Sequence, residues 1–230
     1  MVPMDVVSLL WEGQPTPRRG PRPAFTLDDI ARAAVRVADA EGLAAVTMHQ
    51  VASDLGVTKM ALYRYVPGKA ELVALMTESA LGPPPKLPRG PWRARLDTWA
   101  RAMFDRFTRH PWSLAATVGT RVPGPHELLW LERAVAALST TPLEGHEILD
   151  TAVTLIGHVR AIAEQYAASA HEAPEQALTA TMATLLRGRE DQFPALSKAL
   201  AAPSPHHDEA LAFGLDRILD GVEHLIASRS

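Results

Sequence analysis

The 230-residue chain reads as an all-α protein on three observations. Apolar residues return at three-to-four spacing in every long segment. Alternating apolar and polar runs bounded by hairpin turns are not evident. Proline and glycine clusters stand between the periodic stretches. An apolar fraction of 47% is enough to fill the core of a small domain joined to a larger one.

The elements follow in order. Residues 1–24 carry Pro3, Pro15, Pro17, Pro21 and Pro23 with Gly13 and Gly20, too many breakers for a packed element, and the arginines Arg18, Arg19 and Arg22. They predict a flexible basic arm. Thr26 followed by Asp29 is a helix start, and Ile30, Ala33, Ala34, Val37 and Ala38 carry the helical pattern to Gly42. Thr47 caps a second helix with Val51, Ala52 and Leu55, which stops at Gly56. A third begins near Thr58, with Leu62, Tyr65 and Val66, and ends at Pro67-Gly68. Lys69 restarts the pattern through Leu72, Val73 and Met76 to about Leu81, where Gly82-Pro83-Pro84-Pro85, Pro88, Gly90 and Pro91 interrupt it. This interruption predicts a boundary between residues 25–81 and 82–230. Beyond it, helices are predicted at Trp92 to Thr108, after Pro111, at Glu127 to Ser139, Gly145 to Ser169, Pro174 to Arg187 and Asp208 to Ser228. The stretch from Ala173 to Ser204, broken by Pro174, Gly188, Pro194 and Pro203, carries the weakest pattern.

Composition narrows the function classes. The absence of cysteine removes disulfides, thiolate metal sites and cysteine nucleophiles, and fits a reducing compartment. No run of eighteen uncharged apolar residues occurs and no basic n-region precedes the first apolar patch, so a cytoplasmic protein without a membrane span is expected. A formal net charge of -3 argues against coating nucleic acid by bulk electrostatics, yet leaves local basic surfaces open. Two acid-free stretches stand out: residues 13–27, with only the three arm arginines, and residues 55–70, with Lys59, Arg64 and Lys69.

The second stretch overlaps residues 47 to 65, which meet the demands of a helix-turn-helix: a short helix, a tight glycine turn, and a second helix whose outer face is free for the major groove. Val51, Leu55, Val57 and Leu62 form the inner packing face. Thr58, Lys59, Met60, Tyr63 and Arg64 remain outside, with Thr47 and His49 at the start of the first helix. Lys59 can donate to guanine O6 and N7, and Met60 can touch a thymine methyl. Thr58, Tyr63 and Lys69 suit phosphate, Lys69 adding the start of the next helix. The arm arginines suit a minor groove.

Gly42-Leu43, Val46-Thr47, Val51-Ala52, Leu55-Gly56-Val57, Ala61-Leu62-Tyr63, Tyr65-Val66, Lys69 and Leu72-Val73 together resemble the TetR family over about residues 26 to 78. Leu62-Tyr63-Arg64-Tyr65-Val66 and Lys69-Ala70-Glu71-Leu72 are similar to its tetracycline-repressor-like branch. The resemblance implies three N-terminal helices that bind double-stranded DNA and a larger C-terminal helical domain for ligand binding and dimerisation. It implies a regulator, usually a repressor, released from a palindromic operator by a small molecule. Met48 stands where that branch often has an arginine base reader, and Lys59-Met60 replaces a common Gln-Pro, so a different operator is expected.

Trp99, Met103, Phe107, Trp112 and Trp130 offer bulky apolar walls for a largely apolar effector, with His126, His158, Arg160 and Gln165 as polar anchors. Leu211, Leu215, Ile218, Val222 and Leu225 form a heptad-like stripe, and Gly214 and Gly221 suit close approach of another backbone. Ile148 to Ala168 is apolar nearly all round. In TetR-like proteins two such helices per subunit build the homodimer, so Ile148 to Ala168 and Asp208 to Ser228 are its candidates. Other readings are a constitutive or metal-sensing helix-turn-helix regulator and an all-α metal-dependent enzyme built on His146 with Asp150 or on His206-His207-Asp208. No His-Glu-x-x-His, Gly-x-Ser-x-Gly or glycine-rich phosphate loop supports catalysis. No catalytic residue, metal or cofactor is expected.

Overall fold

A computed structural model describes residues 6–12, 25–168, 174–202 and 209–229, and all regular structure among them is helical. The arm arginines Arg18, Arg19 and Arg22 and the run His206-His207-Asp208 lie outside the described residues. Two compact units divide the chain, Met1–Thr140 and Thr141–Ser230.

The first unit opens with a π-helical turn, Ser8–Glu12. Here the structure departs from an unpacked arm: Leu9 is only 2% exposed and joins the hydrophobic core, and the Trp11 indole donates to the Pro123 carbonyl at 3.2 Å. Burying one leucine and satisfying one indole gives this piece a place to dock that a count of prolines does not reveal. Helix α1, Leu27–Glu41, starts with a complete capping box: the Thr26 hydroxyl accepts from the Asp29 N–H, and the Asp29 carboxylate accepts from the Thr26 N–H. A 3-10 turn, Leu43–Ala45, leads to α2, Met48–Asp54, capped by Thr47, and α3, Lys59–Tyr63, capped by Thr58. Between α2 and α3 Gly56 has φ +67°, a left-handed conformation that a side chain would strain. Helix α3 is shorter than its apolar pattern predicts. The N–H groups of Arg64 and Tyr65 turn back to the Ala61 and Leu62 carbonyls, three residues behind, as the chain tightens ahead of Pro67.

Helix α4, Lys69–Leu81, packs along α1, and Ile30, Ala34, Val51, Leu62, Val66, Leu72 and Met76 close the core with essentially no exposure. The Gly82–Pro91 interruption lies inside this compact unit, because α4 also packs against α5 (Trp92–Arg109), α6 (Trp112–Ala116) and α7 (Pro125–Leu138).

In the second unit, α8 (Gly145–Ala168) pairs with α11 (Ala210–Ala227). The pairing is antiparallel: Arg229, past the end of α11, meets Glu147 in the first turn of α8 at 2.5 Å, whereas His158 Nε2 meets the Leu211 carbonyl at 3.1 Å. Gly214 serves the close approach its sequence suggests, since a Cβ there would fall 2.1 Å from the His158 ring; Gly221 has open space around it. Helix α9, Pro174–Leu186, is followed by α10, Pro194–Ala201, in the stretch of weakest pattern. Pro194 acts there as a first-turn residue, where its missing N–H costs nothing, instead of as a breaker.

Candidate nucleic-acid interface and effector residues

The helix-turn-helix turns its two faces as apolar spacing requires. Val51 and Leu62 are fully buried, Leu55 and Val57 are partly buried against the same core, and Met48 is buried beside them. Thr47, His49, Thr58, Lys59, Met60, Tyr63, Arg64 and Lys69 are all exposed. Met60 stands 73% exposed beside Tyr63 at 38%, both on the outer side of α3. Lys59 Nζ lies 5.6 Å from the Tyr63 ring centroid, which steadies the ammonium without burying it. The caps leave chemistry to spare. The hydroxyl oxygens of Thr47 and Thr58 accept from the Gln50 and Ala61 N–H groups, so each O–H remains a donor suited to a phosphate oxygen. Tyr65 turns inward, its ring centroid 4.4 Å from that of Phe25.

The effector candidates separate into two sets. Trp99, Met103, Phe107, Trp112, His126 and Trp130 lie in the first compact unit, and His158, Arg160 and Gln165 in the second. Trp99 and Trp130 form an edge-to-face pair with centroids 6.1 Å apart. The Trp99 indole donates to the Trp130 carbonyl at 2.8 Å, and the Trp130 indole to the Gly82 carbonyl at 2.9 Å. Trp112 donates to Asp39 Oδ1 at 2.7 Å, and His110 Nδ1 lies 2.8 Å from the same oxygen, which ties α6 and the residue that ends α5 to α1. With Met103 and Phe107 also buried, these aromatics have the satisfied polar tips of packed core. His158 is committed to α11, Arg160 pairs loosely with Glu164 at 3.8 Å, and Gln165 is exposed.

His126 is the candidate that stands beside open space. Its backbone N–H and Nδ1 engage Glu78, at the edge of a cavity of about 600 Å³ between α4 and the chain from Ala116 to Glu127. Sequence reasoning missed Glu78, because nothing local joins it to His126, 48 positions on, and it missed the Arg121–Glu127 pair beside them. A stripe along α4 at positions 69, 70, 73, 74, 77 and 78 was the one available signal. Among the described residues no cluster of three or more His, Asp or Glu side chains could hold a metal ion, and no helix is long and apolar enough to cross a membrane.

A glycine-hinged pair of short helices on a small helical core, with the second helix exposed, defines a helix-turn-helix DNA-binding protein. Residues 30–76 match the family described as bacterial regulatory proteins, tetR family, and residues 84–226 match the tetracyclin repressor-like C-terminal domain. The chain belongs to the TetR family of transcriptional regulators. It is 36% identical over 239 aligned positions to the HTH-type transcriptional repressor DrrR1 of Streptomyces coeruleorubidus, covering 97% of this chain and 86% of that protein. It is 26% identical over 179 positions to an HTH-type transcriptional regulator of Saccharopolyspora erythraea, covering 76% of this chain and 75% of that one. The Streptomyces coelicolor TetR family protein ActR, solved in complex with actinorhodin, shares the fold with a TM-score of 0.74 at 23% identity, over 89% of this chain and 98% of that one.

Proposed function

We propose that this regulator represses transcription by binding a near-palindromic operator as a homodimer, and that a largely apolar small molecule releases it. Residues 25–81 serve as the DNA-binding part and residues 82–230 as the effector-binding and dimerising part. The carrying observation is the two-faced helix-turn-helix, with Lys59, Met60, Tyr63 and Arg64 exposed on a helix whose other face holds Leu62 in the core. Lys59 and Met60 read bases, while Thr58, Tyr63 and Lys69 hold phosphates. The relative named as a repressor supports the sign of regulation, and ActR solved with actinorhodin supports response to a small molecule.

Dimerisation is assigned to α8 and α11. The two already pack on one another within the chain, yet α8 leaves Leu149 and Val153 exposed, Val153 by 62%, which suits a partner helix. Two recognition helices about 34 Å apart would then meet successive major grooves. Effector binding favours a conformation in which α4 has swung and that spacing no longer matches the operator. Footprinting on the region upstream of the protein's own gene tests the reading: it expects protected half-sites about one helical turn apart. Absence of any protected site in the DNA flanking the gene overturns it.

A further inference from the structure

The cavity between α4 and the chain from Ala116 to Glu127 is walled by Val73 and Ala74 on one side and by Ala116 and Val122 on the other. At about 600 Å³ it matches a small molecule and far exceeds a few waters. Thr77 also lines it, and its hydroxyl is spent on the Val73 carbonyl at 2.7 Å. Among the described residues none from α5 forms a wall, so the cavity stands apart from the sealed Trp99, Met103 and Phe107.

The charged groups around this cavity are already committed. Arg121 and Glu127 form a two-pronged ion pair with both distances at 2.5 Å. Glu78 Oε1 accepts from the His126 N–H, and Oε2 lies against Gly124, where an added Cβ would collide with it. Lys69, the first residue of α4, is exposed, and an ion pair made in water gains little. A charged guest would leave its hydration shell and find no partner inside. A neutral one only exchanges water for apolar walls.

The N-terminal turn bridges the two walls. It packs on α4, and the Trp11 indole donates at 3.2 Å to Pro123, in the connection that forms the far wall. Val6, just ahead of the turn, lines the cavity itself. Leu9 and the partly buried Leu10 anchor the piece against the core, while Val7 and Trp11 stay exposed. A short segment held by few buried side chains opens far more often than the chain unfolds.

We propose that this cavity takes a neutral, largely apolar small molecule, and that the Ser8–Glu12 turn with Val6 is the lid that opens to admit it and closes over it. The assignment deepens the reading of the chain as an effector-responsive regulator and rests on it for its consequence. The wall under the lid is the helix that begins at Lys69, so occupancy and operator binding act on one another through α4, reciprocally.

The test titrates the full chain at pH 7 with three fluorescent probes that share a three-ring body and differ in charge: 9-anthracenemethanol, protonated 9-(aminomethyl)anthracene and 9-anthracenecarboxylate. The neutral alcohol is expected to bind at least about tenfold tighter than either charged probe. Ala74→Leu, which fills one wall, should weaken the alcohol at least about tenfold. Trp11→Phe, which removes the indole donor from an exposed ring, should release the alcohol about threefold faster or more in stopped flow. Saturating alcohol should slow backbone hydrogen exchange over residues 8–12 of the wild-type chain. A charged probe that binds as tightly as the alcohol overturns the ligand class, and unchanged alcohol affinity in Ala74→Leu overturns the site. Unchanged exchange over residues 8–12, or unchanged release from Trp11→Phe, overturns the lid. If Ala74→Leu fails to fold, the exchange result decides the site as well, since only a guest beneath Val6 would protect the turn. A gel-shift assay on upstream DNA separates the two readings. DNA retardation without preference for the neutral probe sinks the cavity assignment and keeps the regulator; that preference without retardation does the reverse.

Discussion

The helix-turn-helix and the aromatic middle of the same compact unit use their large side chains in opposite ways. In α3 the large side chains of Met60 and Tyr63 stand in solvent, and the packing that orients them comes from residues a few positions away. In α5 and α7 Trp99 and Trp130 are sealed, each indole N–H spent on a carbonyl 31 or 48 residues distant. A bulky side chain thus announces a binding surface only where the local pattern has already filled the core without it.

Substitutions bring out that contrast. The largest effect is expected at Trp99: Trp99→Ala should lower unfolding stability by about 3–5 kcal/mol in urea denaturation, because a cavity opens where the side chain was sealed. A variant of near wild-type stability would mean that this side chain is free to meet a ligand, and the comparison would fail. Asp39→Ala lies where the two regions touch. It strands the Trp112 indole and frees His110, so a loss of about 1–3 kcal/mol is expected by the same measurement. A neutral result would show that α6 is held to α1 by packing alone.

Lys59→Ala should do the reverse of Trp99→Ala, leaving stability within about 0.5 kcal/mol while weakening operator affinity by an amount corresponding to about 1–3 kcal/mol in a gel-shift titration. Equal loss on unrelated DNA would reassign Lys59 from base to phosphate. The smallest effect concerns the start of α1. Hydrogen bonds from the Thr26 hydroxyl and N–H, with Arg32 beside it, hold the Asp29 carboxyl at about 2 against an ordinary 3.8. Because the folded value lies below the unfolded one, the contribution is present above about pH 4 and is lost as pH falls toward 2. Thr26→Ala should cost about 1 kcal/mol at neutral pH and make the acid limb of the stability curve shallower. An unchanged acid limb would place the stabilisation in Arg32 instead.

The same contrast explains what the sequence made legible. Thr26, Thr47, Gly56 and the spacing of Val51, Leu55 and Leu62 act over one or two turns, so the capped helices, the left-handed turn and the exposed residues of α3 could be read directly. The family resemblance rested on the same short range. Residues whose meaning is set by distant packing could not be read in that way. Glu78 looks like one more acid on a helix until the chain returns with His126, and Leu9 looks like part of a tail until its turn meets α4. Proline misled in both directions, starting α10 at Pro194 and ending α3 early before Pro67.

The docked turn at Ser8–Glu12 bears on how this protein is handled. Trimming the first 24 residues as a dispensable tail would take Leu9 out of the core and Val6 off the cavity, yet leave α1 to α3 covalently whole. Such a shortened chain would carry a gap in the core that α1 to α4 share, so its behaviour would not stand for that of the intact chain.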